Sequence, residues 1–148
     1  MTSPRRLDDD LGFLVARANA VLTKATNRVL APLGLKVRAY SVLAAVCDQP
    51  EGIAQRRLAN DVGLDPSQIV ALVDELEGRE LVQRTTDPTD RRNKLIVATY
   101  AGVALCAQAR ERGADVVAEY LGDVDAGTLE TVRMALRRIT FDESAIRR

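Results

Sequence analysis

The chain has 148 residues, 47% of them hydrophobic, with 21 Lys plus Arg balanced by 21 Asp plus Glu and no histidine. That length suits one domain with an appended oligomerisation element, and the neutral balance argues against a protein that coats nucleic acid non-specifically. Without imidazole there is no Ser/His or Cys/His catalysis and no histidine metal site, and Cys47 and Cys106 have no CxxC spacing, so neither an enzyme nor a metal or cofactor protein is expected.

Aromatics are scarce, so the core must be built from Leu, Val, Ile and Ala, and Ala and Leu favour helix. No apolar run approaches the roughly 18 residues of a membrane span. Met1 to Asp10 carries Arg5 and Arg6 and then acidic residues, unlike a signal peptide, and a cytoplasmic location is expected. Asp8, Asp9 and Asp10 precede a helix in which Leu7, Leu11, Leu14, Ala18, Val21 and Ala25 form a stripe at spacings of four and three. Such a stripe is longer than a small domain needs for its own core. Pro32-Leu33-Gly34 should end that helix. A second helix carries Tyr40, Leu43 and Val46 and ends before Gln49-Pro50-Glu51-Gly52.

Residues 53 to 79 hold the most specific pattern. Ala59, Gly63, Ile69 and Leu72 have the spacing of a helix-turn-helix: a small residue where the helices touch, Gly at the turn, and branched side chains that lock the crossing. Asp65, Pro66 and Gln68 read as N-cap, first helical residue and capping-box partner. An ordinary pair of packed helices would carry the same pattern, and the residues C-terminal to it decide between the two. Leu81 to Thr86 and Leu95 to Thr99 are strand candidates around the turn Asp87-Pro88-Thr89-Asp90. From Arg79 to Lys94 there are five basic and three acidic residues, a net +2 in a neutral chain. A hairpin with a basic tip, directly after a helix-turn-helix, is a wing. Thr99 can cap a helix running to about Leu121, and after a break at Gly122 to Gly127 a last helix repeats a narrow stripe through Leu129, Val132, Leu136 and Ile139.

With the wing in place, Asp87-Pro88-Thr89-Asp90-Arg91-Arg92, Val97-Ala98-Thr99 with Gly102, and Leu76-Glu77 with Leu81-Val82 resemble the MarR family of transcription regulators. They are similar to its D-x-x-D-x-R wing, its LT-x-x-G junction and its LExxGLV join. Ala98 and Glu80 depart from the Leu and Gly usual there. The expected fold is mainly α with a small two- or three-stranded β wing. A single domain of residues 1–148 would hold a winged helix-turn-helix at about 35–99 and dimerisation helices at about 7–31 and 100–145. The resemblance implies a homodimer, a recognition helix in the major groove, a wing over the minor groove, and repression of double-stranded DNA relieved by a small ligand.

Ser67 and Gln68 open the recognition helix, where side chains meet phosphates and base edges, although Gln68 is equally placed to close its own cap. Ala71 could meet a thymine methyl, while Asp74 should pair with a basic neighbour. The helix has no Lys or Arg, so phosphate contacts fall to Arg38, Arg56, Arg84, Arg92 and Lys94. Arg91 matches the family's minor-groove arginine, oriented by Asp90. The family's oxidant sensors hold a cysteine near the start of the first helix, where this chain has Gly12 and Phe13; Cys47 and Cys106 read as small core residues. Arg17 and Tyr40 are the polar candidates for a small aromatic or other small-molecule effector. The rival reading is a winged helix that serves only as a protein-interaction module; its wing would lack arginine, and this one has two.

Overall fold

The computed structural model describes residues 6–141; Met1 to Arg5 and the expected end of the last helix near residue 145 lie outside them. The described residues divide into two compact units, one running to Val116 and one beginning at Val117.

The first unit begins with a short 3-10 turn, Leu7–Asp9, and α1, Leu11–Leu30. Asp10 caps α1 by accepting the Phe13 N–H at 2.8 Å. A 3-10 turn at Ala31–Leu33 and a left-handed Gly34 (φ 67°) end it, where Pro32 and Gly34 were expected to. Helix α2, Val37–Cys47, starts on Lys36, which provides no side-chain cap. Asn27 of α1 does that work across the bend, accepting the Val37 N–H at 2.8 Å.

Strand β1 (Ile53–Ala54), α3 (Gln55–Val62) and α4 (Pro66–Gly78) come next. Gly63 closes α3 at φ 74° with Ala59 buried in front of it, which is the role the spacing assigned to each. Asp65 and Gln68 form the capping box that starts α4. Strands β2 (Val82–Thr86) and β3 (Lys94–Ala98) are the wing, and the sheet order is β1-β3-β2, antiparallel throughout. Ile53 pairs with Ile96 and Val82 with Ala98. The core lies between α2, α3, α4 and this sheet. Leu30, Leu35, Val42, Leu43, Val46, Leu58, Ile69, Val73, Leu76, Val82 and Ile96 are all buried in it.

The join from sheet to α5 (Tyr100–Leu121) is tight. The Thr99 hydroxyl donates to the Glu80 carbonyl at 2.6 Å and accepts the Gly102 N–H at 3.0 Å, capping α5 as expected. A Cβ on Gly102 would stand 1.9 Å from the Leu81 carbonyl oxygen, so only glycine fits. Glu80, where the resemblance leads one to expect Gly, has φ 57°, the sole left-handed non-glycine residue among those described.

The second unit contains the end of α5 and α6, Ala126–Phe141. Asp125 caps α6, accepting the Thr128 N–H at 2.9 Å. Among the described residues α6 buries none of its own. No single described helix is long and apolar enough to cross a membrane.

Candidate nucleic-acid interface

Helix α4 turns Ile69, Val73 and Leu76 into the core, which leaves Ser67, Ala71 and Asp74 on the outward side. Its N-terminus is closed on itself. Asp65 Oδ1 accepts the Gln68 N–H at 3.0 Å and the Ser67 hydroxyl at 2.5 Å, and Gln68 Oε1 accepts the Asp65 N–H at 3.3 Å. Of the two roles open to Gln68, the capping one is therefore occupied, with its Nε2 still able to donate outward. The Ser67 hydroxyl and then the Gln68 N–H hold the Asp65 carboxyl below its ordinary range, with a lesser contribution from the charge of Arg38.

The wing tip is built by two carboxylates. Asp87 Oδ1 accepts the Thr89 N–H at 2.8 Å and its hydroxyl at 2.7 Å, which keeps the Asp87 carboxyl low. Asp90 Oδ1 accepts the Arg92 N–H at 3.1 Å and Oδ2 accepts from Asn93 Nδ2 at 3.4 Å. Asp90 was expected to orient the Arg91 guanidinium; its side-chain hydrogen bonds among the described residues go instead to the Arg92 N–H and Asn93, an Asx cap on the turn. Arg91 and Arg92 are both exposed. Lys94, also exposed, donates to Thr86 Oγ1 across the hairpin at 3.2 Å.

Arg84 has a different environment. It pairs with Ile96 in the hairpin, on the face that Val82 also uses, so it points back toward α4. Its Nη2 meets Asp74 at 2.6 Å, its Nη1 meets Glu77 at 2.9 Å, and its backbone N–H donates to Glu77 Oε2 at 3.0 Å. The basic partner expected for Asp74 is Arg84, and the guanidinium ties wing to helix. Arg38 and Arg56 are exposed at the starts of α2 and α3.

A cleft of about 1030 Å³ opens beside α4. Its polar lining comes from Asn19, Thr23 and Asn27 of α1, Lys36, Arg38 and Ser41 around the start of α2, and Glu75 of α4; Leu35, Val62 and Leu72 supply apolar wall. Neither Arg17 nor Tyr40 lines it. Tyr40 lies beside Cys106, Arg110 and Asp48, and burial first and Cys106 next raise its hydroxyl pKa.

Several anchors escaped the sequence reading. Arg79 donates to the Gly34 and Leu33 carbonyls at 2.8 and 3.0 Å, Arg110 pairs with Asp48 at 2.6 Å, and Arg112 reaches the Val29 carbonyl at 3.2 Å. A lone arginine on a helix reads as a solvated charge, and nothing in its spacing marks a distant carbonyl as its acceptor. The two cysteines are also neighbours, although 59 positions apart in the chain. Cys106 is buried in the core and Cys47 packs against it, and burial together with Cys106 pushes the Cys47 thiol up to about 12. Such a thiol is protonated and unreactive near neutral pH.

A sequence model of the MarR family matches residues 33–93. The putative transcriptional regulatory protein for the hcr operon of Thauera aromatica is 32% identical over 124 residues, 81% of this chain and 74% of that protein. The crystal structure of CouR from Rhodococcus jostii RHA1 bound to p-coumaroyl-CoA is 47% identical, with a TM-score of 0.89 over 94% of this chain and 97% of that one. A transcriptional repressor CouR bound to a 23-mer DNA duplex is 29% identical, with a TM-score of 0.77 over 92% of this chain and all of that one. With that family model and a transcriptional regulator of the MarR family from Rhodococcus sp. RHA1 that is 45% identical over 94% of this chain and 99% of that one (TM-score 0.89), the chain belongs to the MarR family of transcription regulators.

Proposed function

We propose that the protein is a ligand-responsive repressor that binds an inverted-repeat operator in double-stranded DNA as a homodimer. It acts by binding alone, in the cytoplasm where its DNA is, and the chain supplies no histidine for general-base work. The winged unit at about 35–99 places α4 in the major groove and the wing over the minor groove. Arg91 enters the minor groove, while Arg38, Arg56, Arg92 and Lys94 meet phosphates. Arg84 we assign to the strut between wing and helix. The large apolar side chains exposed along α1 and α6, Leu11, Leu14 and Val21 on one and Leu136 and Ile139 on the other, support the dimer, since soluble monomers rarely expose extended apolar faces.

The observation that carries ligand response is the position of Arg38. It lines the cleft and also stands close enough to Asp65, at the start of α4, to lower that carboxyl. An anion seated in the cleft would draw on the same guanidinium that we assign to phosphate. DNA and ligand would then compete, and each would weaken the other's binding. The 47% identical relative binds p-coumaroyl-CoA, an anionic aromatic thioester, and Lys36 and Arg38 give this cleft the charge for that class.

The test is a gel-shift titration on the DNA flanking the gene, with p-coumaroyl-CoA as the probe. Release of the duplex by the probe, lost in Arg38→Ala together with much of the DNA affinity, is the expected result. A duplex that stays bound at saturating probe would remove this ligand class. Failure to shift any flanking duplex would favour the protein-interaction reading instead.

A further inference from the structure

Base readout by hydrogen bonds needs donors and acceptors that the protein does not use itself, and α4 has few. It carries no Lys or Arg from Pro66 to Gly78. The Ser67 proton goes to Asp65, Gln68 Oε1 closes the capping box, and Asp74 is bound by Arg84 at 2.6 Å. The apolar side chains on the same surface are differently placed. Between Val21 and Tyr100, Val70 is the only large hydrophobic residue among those described that stays exposed, at 40%. It lies beside Ala71, flanking the line of Ser67 and Asp74. Every other large apolar side chain of the winged unit is buried or half-buried.

The one apolar group that base pairs present in the major groove is the thymine C5-methyl. We propose that Val70 is a specificity-determining residue that reads a thymine methyl in each operator half-site. The inference rests on the DNA-binding reading above and names which base α4 selects and by what chemistry. Cytosine at that position would have a hydrogen at C5 in place of the methyl and an amino group in place of the O4 carbonyl, and a purine would offer polar edges that Val70 cannot satisfy.

The experiment starts from duplexes that the wild-type protein selects from a randomised pool. Each thymine is then replaced in turn by deoxyuridine, which removes the methyl and keeps the base pair. Affinities are measured by fluorescence anisotropy at one salt concentration for the wild type and for Val70→Ala, whose thermal midpoint should match the parent's because the side chain is outside the core. One thymine per half-site should be sensitive, its replacement weakening wild-type binding about 3- to 5-fold, the value of one buried methyl. Val70→Ala, which changes both protomers, should lose the square of that factor, roughly 10- to 25-fold, and become indifferent to the replacement while responding normally elsewhere. A Val70→Ala protein that keeps the parent's response at every thymine overturns the inference and leaves DNA binding intact, as does a wild type that senses no thymine methyl. If no duplex is selected at all, the DNA-binding reading falls and the inference with it.

Discussion

Glu80 and Gly102 sit on either side of the sheet-to-α5 junction and have opposite problems. Glu80 is a β-carbon residue in a left-handed conformation, at φ 57°. Replacing it with Gly removes the steric penalty, partly offset by the greater freedom of the unfolded chain, so Glu80→Gly should stabilise by about 0.5–1 kcal/mol. Gly102 has no room for a methyl against the Leu81 carbonyl, and Gly102→Ala should destabilise by about 3 kcal/mol, the upper end for an overpacked site. Thermal denaturation of the two variants checks both signs. The departure of Glu80 from the family pattern was visible in the sequence; that it marks a left-handed residue was not, because a backbone angle is legible only when glycine advertises it. Arg84 shows the converse. Its parity with Val82 in the strand already placed it on the inward face, but a count of basic residues hid that signal. Arg84→Met should lower stability by about 1 kcal/mol, discounted for partial exposure, through loss of the two carboxylate partners.

At the scale of elements, helix α4 and the wing turn depend on carboxylates rather than on imidazole. Asp65 and Asp87 are held below the ordinary carboxylate pKa by the hydroxyls and N–H groups they accept. A depressed carboxyl contributes stability above its unfolded value and loses it as pH falls through the folded one, so both caps should fail only below about pH 4. With no histidine in the chain, operator affinity should be flat from about pH 5 to 7.5. A binding curve that titrates inside that window would show that another group controls the interface. The elements themselves were largely legible: the Pro32–Gly34 stop, the Asp65 box, Gly63 and the wing strands lie within a residue or two of their expected places. Strand β1 was not, since two residues, Ile53 and Ala54, are too short for any alternation to register. The cleft was hidden too. It is assembled from α1, α2, α3 and α4, and Lys36 and Ser41 acquire a common direction only once those helices pack.

For the whole molecule, the stripes read from sequence on the first and last helices remain exposed in the single chain, with Leu11 at 75% and Ile139 at 68%. Burying them in a second copy is the proposed reason for their spacing. Leu136→Asp should abolish dimerisation and the cooperative unfolding transition together, as seen by sedimentation and calorimetry; a stable folded monomer would break the link between fold and dimer. Such a dimer carries two α4 helices and two wings, and its operator half-sites should lie one helical turn apart, roughly 34 Å. The most direct check on DNA recognition is the salt dependence of operator affinity. Arg38, Arg56, Arg92 and Lys94 from both protomers should give log Kd against log salt a slope of magnitude about 5 to 8, reduced by about one to two in Lys94→Ala because each protomer loses one phosphate contact. Affinity unchanged between about 50 and 200 mM salt would contradict phosphate-anchored binding.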